Sequence, residues 1–223
     1  MTTLLSIALL IGAYLLGSIP SAYLFARWRK GIDIRRYGSG TVSGSMIWEH
    51  VSKPGIVLVG VFDVCKAVAA TWLGYQISLP MAVAAGLMAA IGHNWPIFLR
   101  FIGGRGLGLF LGMCLVLFPW GCVWILASLI LGRVISRDSA PWAMAAMLGF
   151  PLFVLWMGQP AAFVWGSVGM LCLTIAKRLE GNQRHLPDNR AERRRVLLYR
   201  VFLDRDIRSW EEWVHRTPAT TQT

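Results

Sequence analysis

"SIALLIGAYLLGSIPSAYLFA", Ser6 to Ala26, runs for twenty-one residues without a single charge. A straight helix needs about 20 apolar residues to cross a bilayer. The run is too long for the apolar part of a signal peptide, no basic segment precedes it, and no A-x-A cleavage signal follows it. It reads as a retained first span, Leu4–Ala26. Two further runs, Ile56–Gly74 and Pro80–Leu99, meet the same length criterion. Beyond Arg105 the apolar runs shorten. Leu107–Phe118 and Gly121–Gly132 flank "PWG" at 119–121, and Trp142–Met157 and Ala161–Ala176 flank "GQP" at 158–160. The pattern predicts an all-α integral membrane protein with about seven transmembrane helices, several short or tilted. Five spans would satisfy the same parity if the short hairpins are re-entrant.

Composition agrees. The chain has 223 residues, of which 56% are hydrophobic and only 15% charged, against about 25% in a soluble domain. The net charge is +11, and the basic residues gather at segment ends: Arg27–Arg36, Lys53, Arg100–Arg105, Arg133–Arg137 and everything from Lys177 onward. Basic flanks stay in the cytosol, which puts the N-terminus outside and the C-terminus in the cytosol. Nucleic acid would be another partner for a basic tail, but no nucleic-acid motif accompanies it. The four cysteines, Cys65, Cys114, Cys122 and Cys172, lie in apolar segments without a CxxC pair and read as small buried hydrophobes. No HExxH, GxSxG or P-loop motif appears, and no Cys/His/carboxylate set has metal-ligand spacing. Neither a metal enzyme nor a serine hydrolase is therefore expected, and the sequence gives no cofactor motif.

All the polar insertions fall on the predicted cytosolic face. The first is "RRYGSGTVSGSM", Arg35–Met46, either a connector or a phosphate cradle. The second is Asp63 with Lys66, three apart inside an apolar helix and able to pair there. The third is "GHNWPIFLRFIGGRGLG", Gly92–Gly108. Glycines bracketing Arg105 at a helix start can expose backbone N–H groups to an anion, or can simply make a tight turn; His93 and Asn94 could be polar plugs at the preceding helix end. The fourth is "GRVISRDSAP", Gly132–Pro141, in which Ser136 and Ser139 can share a helical face, or Ser139 can cap the next helix.

Five of these segments, "GSIPSAYLFA" at 17–26, "DIRRYGSG" at 33–40, "DVCK" at 63–66, "GHNWPIFLRFIGGRG" at 92–106 and "RVISRDS" at 133–139, resemble in order and spacing the bacterial acyl-phosphate glycerol-3-phosphate acyltransferases, over roughly residues 10 to 182. The resemblance implies a multi-pass enzyme of the bacterial inner membrane that moves a fatty acyl group from acyl phosphate to the 1-hydroxyl of glycerol 3-phosphate. Lysophosphatidic acid for phospholipid synthesis is the product. Carried over by position, Ser39, Arg105 and Ser136 would be catalytic. Gly38, Gly40, Asp63, Lys66, Gly103, Gly104 and Gly106 would bind substrate. The sequence departs from the family at several places. Arg105 stands where a lysine is usual, Thr41 and Met46 where asparagines are, and Glu49 where an arginine is. Leu171 and Thr174 occupy the places of a histidine and an asparagine in the last helix. These departures leave open an alternative: a family member altered in or lacking catalysis that binds a phosphorylated lipid or metabolite.

The resemblance divides the chain into a membrane domain, residues 1–182, and a basic tail, 183–223. In the tail Val196, Tyr199, Leu203, Ile207, Trp210 and Val214 recur at spacings of three or four, predicting one amphipathic helix over about 190–216. It could lie on anionic headgroups or pack on the cytosolic loops. The last residues, "TPATTQT", are expected to be disordered.

Overall fold

The computed structural model describes residues 2–37, 40–181 and 185–215, and among them there is no strand. The elements in order are α1 (Thr2–Gly17), α2 (Ser21–Lys30), α3 (Gly44–His50), α4 (Gly55–Tyr75), α5 (Leu79–Asn94), α6 (Leu107–Leu117), α7 (Pro119–Ser136), α8 (Ala140–Trp156), α9 (Ala161–Glu180), α10 (Arg190–Leu203) and α11 (Trp210–His215). Five apolar segments among the described residues are long enough to cross a membrane: Thr3–Lys30, Gly55–Tyr75, Leu79–Leu99, Pro119–Ser136 and Ala161–Glu180. The helices α6 and α8 are apolar but shorter.

The surface is what a lipid environment asks for. Leu4, Ile7 and Ile11 on α1, Val57 and Val61 on α4, and Val134 and Ile135 on α7 are all exposed, while large aromatics and methionines (Phe110, Met113, Met147, Phe150, Phe163) fill the interior. Lipid tails are as apolar as these side chains, so close packing through small residues brings the helices together. The crossing of α1 and α5 shows it: a Cβ on Gly17 would strike the Ala89 backbone, and one on Gly92 would strike the Tyr14 carbonyl. A second, smaller core at the basic end joins Ala22, Ala26, Ile34, Met46, Ile47 and Leu99 to Trp213 of α11.

Several expectations change. The first span is not one helix over Leu4–Ala26. It stops at Gly17 and restarts at Ser21, because Pro20 has no N–H to donate back into the first helix. "PWG" is not a break: Pro119 opens α7, where a missing N–H costs nothing, and the turn residue is Phe118. Arg137 adopts a left-handed conformation (φ 57°) that ends α7, so Ser136 and Ser139 do not share a helix face. The tail forms two helices rather than one over about 190–216, interrupted at Asp204 (φ 59°). Cys114 and Cys122 are buried, but Cys65 and Cys172 face outward. The residues from 216 onward lie outside the described ones.

Candidate functional site

The break between α1 and α2 leaves carbonyls without helical partners, and α4 supplies a donor. Lys66 Nζ donates to the Ile19 carbonyl at 2.8 Å and approaches that of Gly17 at 3.5 Å. The same ammonium lies 2.8 Å from Asp63 Oδ1. That oxygen also accepts from Ser21 Oγ at 2.5 Å and sits 3.6 Å from His93 Nδ1. The three N–H groups of Lys66 thus have three acceptors inside the protein. Burying such a pair is tolerable because its charges are matched and its remaining donors satisfied. Asp63 and Lys66 tie three segments together (the α1–α2 break, α4, and the end of α5).

His93 passes this order on to the glycine loop. A Cβ at Gly104 would collide with His93 Nε2, and one at Gly103 would collide with the His93 carbonyl. Gly104 N–H donates to that carbonyl at 3.2 Å, and Val42 N–H donates to the Gly103 carbonyl at 3.3 Å. The last bond joins the glycine loop to the polar segment that follows Gly40. Gly38 and Ser39 themselves lie outside the described residues. Gly106, at φ 75°, sits in the position before α6 with no side-chain cap. It packs on Asn94, whose fully buried amide has no hydrogen-bond partner among the described residues. The glycines therefore serve close packing first, and the uncapped start of α6 keeps its N–H groups turned toward the basic end.

Arg105 points away from this knot. Its Nη1 donates to the Lys177 carbonyl at 2.8 Å, and its Nε meets Asp204 of the tail. It lines a cavity of about 120 Å³ with Leu107, Ser139, Thr174, Arg178 and Asp204. Ser139 and Asp204 also border a wider cleft of about 330 Å³ that includes Glu49, Arg133, Arg137 and Trp213. Ser136 lines neither space. Its one O–H is shared between the carbonyls of Gly132 and Asp138, and its Oγ accepts from Trp142 Nε1; Ser139 takes the cavity position instead.

The divergent positions are accounted for in part. Thr174 lines the inner cavity, with its hydroxyl donating to the Met170 carbonyl at 2.9 Å, while Leu171 packs against the large core. Met46 is fully buried in the smaller core. Glu49 borders the outer cleft beside Arg133 and Arg137. The residues that sequence reasoning missed are Ser21, Arg178 and Asp204. Arg178, one turn beyond Thr174, could have been noticed as a basic residue on the same helix face. Nothing in the sequence signalled Asp204.

A family model described as "Glycerol-3-phosphate acyltransferase" matches residues 7–187. Glycerol-3-phosphate acyltransferase 5 of Dehalococcoides mccartyi (strain 195) is 34% identical, over 99% of this chain and 97% of its own. Glycerol-3-phosphate acyltransferase 2 of Moorella thermoacetica is 40% identical over 70% of this chain and 80% of its own. The crystal structure of PlsY (YgiH), an integral membrane glycerol 3-phosphate acyltransferase, in its glycerol 3-phosphate form superposes with a TM-score of 0.73 at 26% identity, covering 80% of this chain and 90% of that one. Its lysophosphatidic acid form superposes with a TM-score of 0.72.

Proposed function

The chain belongs to the glycerol-3-phosphate acyltransferase family, and from that premise we propose that it transfers a fatty acyl group from acyl phosphate to the 1-hydroxyl of glycerol 3-phosphate. The hydroxyl oxygen bonds to the acyl carbon, and the bond from that carbon to phosphate breaks. The hydroxyl proton ends on the departing phosphate. Lysophosphatidic acid and phosphate leave. Such a reaction needs positioning and charge stabilisation more than a dedicated nucleophile.

The observation that carries this reading is the pair of arginines, Arg105 and Arg178, on one small cavity beside the uncapped start of α6. Two guanidinium groups and a helix N-terminus suit a phosphoryl group. Arg105 keeps the charge of the lysine usual at its place and adds a planar fork. Arg178 supplies a second cation from the helix in which Leu171 and Thr174 replace the family's polar pair. Ser39 stays proposed as a phosphate ligand, and Gly38, Gly40, Gly103, Gly104 and Gly106 as the loops that shape the site. Asp63 and Lys66 hold those loops in place, and Ser139 takes the contact first assigned to Ser136.

The basic end faces the cytosol in this reading, with the N-terminus outside and seven crossings of a bacterial inner membrane. At 1.5 Å per residue, α6 covers only about half of the hydrocarbon thickness, so it must lie against its neighbours rather than against lipid on all sides. The test is direct. Purified protein in detergent, given acyl phosphate and labelled glycerol 3-phosphate, forms lysophosphatidic acid, and Arg105→Ala lowers the yield at least a hundredfold. Absence of product with acyl phosphate, acyl-carrier-protein and coenzyme A thioester donors alike would overturn it.

A further inference from the structure

Arg105 does not meet the cavity alone. Its Nε lies 2.9 Å from Oδ1 and 3.1 Å from Oδ2 of Asp204. Arg178 Nε lies 3.9 Å from Oδ1, and Arg105 Nη2 has no hydrogen-bond partner among the described residues. The pairing is geometrically poor. Asp33 and Arg35 show the matched alternative in the same molecule, Nε to Oδ1 at 3.0 Å and Nη2 to Oδ2 at 2.7 Å. In the Arg105 pair a single N–H serves both oxygens, and buried Oδ1 makes no well-directed hydrogen bond among the described residues. A tetrahedral dianion would use the guanidinium edge that Asp204 leaves idle.

The tail is held without this contact. Arg205 Nη1 lies 2.8 Å from Asp138 Oδ2, and Arg178 Nη1 donates to the Val201 carbonyl at 2.7 Å. Asp204 itself borders both the inner cavity and the outer cleft.

We propose that Asp204 is a specificity-determining residue: its carboxylate holds, on Arg105 and Arg178, the place of the substrate's phosphoryl group, and only a more highly charged anion exchanges with it. This rests on the acyl-transfer reading for its substrate, but the exchange concerns phosphate binding alone. A monoanion brings no more charge than Asp204 already supplies, so carboxylate analogues are rejected. A phosphate dianion brings twice the charge and displaces it. The tail thereby sets which anions the site admits.

Asp204→Asn and Asp204→Gly both tolerate the left-handed backbone at this position. Inorganic phosphate binding is measured by calorimetry in detergent, alongside KM for glycerol 3-phosphate and inhibition by glycerate. In both variants the phosphate Kd and the KM fall about tenfold, equivalent to about 1.4 kcal/mol, and glycerate becomes a competitive inhibitor. A rise in either constant, no change, or loss of fold in both variants assigns Asp204 a structural role and overturns the proposal. If the wild type makes no product with any donor, the acyl-transfer reading fails while the phosphate titration still decides this one.

Discussion

Lys66 Nζ and Asp63 Oδ1 lie 2.8 Å apart inside the membrane-grade part of α4, both side chains almost wholly shielded. The ammonium also holds the carbonyls released by the α1–α2 break. The pair is therefore a structural clamp on which the glycine loop, through His93, depends. Breaking a buried pair leaves an uncompensated charge, at about 3–5 kcal/mol. Lys66→Met is expected to be strongly destabilising. The double variant Asp63→Asn with Lys66→Met should be less destabilised than the two single losses summed. Thermal unfolding in detergent supplies the cycle; strict additivity would mean the two groups act independently.

The glycine loop makes a sharper demand. A methyl at Gly104 has to displace both the His93 ring and the Val42 carbonyl, and overpacking of this kind costs about 1–3 kcal/mol. Gly104→Ala is expected to lower kcat/KM for glycerol 3-phosphate by at least tenfold. Gly12→Ala, at a glycine with open space around its Cβ position, should leave it within about twofold. Equal losses in the two variants would show that the loop packing is not specific to the site.

Much of this was written in the sequence where one local rule governed. The apolar runs placed the helices, the Asp63–Lys66 spacing placed their pairing, and Gly103, Gly104 and Gly106 marked a turn. What was not legible depends on distant partners. "GSIPS" looked like the interior of a span, and only the approach of Lys66 shows why a broken helix is stable there. The spacing of Ser136 and Ser139 suggested one shared helical face, and the left-handed Arg137 turns them apart. The amphipathic spacing of the tail continued through Asp204, but Arg200 and Arg205, paired with Asp206 and Asp138, fold it back at that point.

A pH dependence follows from the loop before the glycine–serine segment. Arg35 donates to Asp33 and holds its carboxyl below the ordinary value of 3.8. A carboxyl with a depressed folded-state pKa contributes stability above its unfolded value, and that contribution is lost as pH falls through the folded one. The pair is partly exposed, so the effect is at most about 1 kcal/mol. Wild type and Asp33→Asn should differ in melting temperature at pH 7 and converge as pH drops below about 4. A gap that stays constant down to pH 3 would remove Asp33 as its source.

Ser139 and Ser136 give the final contrast. Ser139 borders the inner cavity, and its hydroxyl makes only a 3.3 Å contact with the Leu129 carbonyl. It can turn to a bound phosphate at little cost. Ser136 is fully committed, its one O–H shared between two carbonyls and its oxygen accepting from Trp142. Loss of one ligand hydrogen bond is worth about 1 kcal/mol, so Ser139→Ala should raise KM for glycerol 3-phosphate about fivefold with little change in melting temperature. Ser136→Ala should do the reverse, lowering the melting temperature by a few degrees because Trp142 loses its acceptor, with KM within about twofold. Steady-state kinetics and melting curves on the two variants separate these roles. A larger KM effect at Ser136 would return the substrate contact to that residue and require the α7–α8 turn to rearrange when substrate binds.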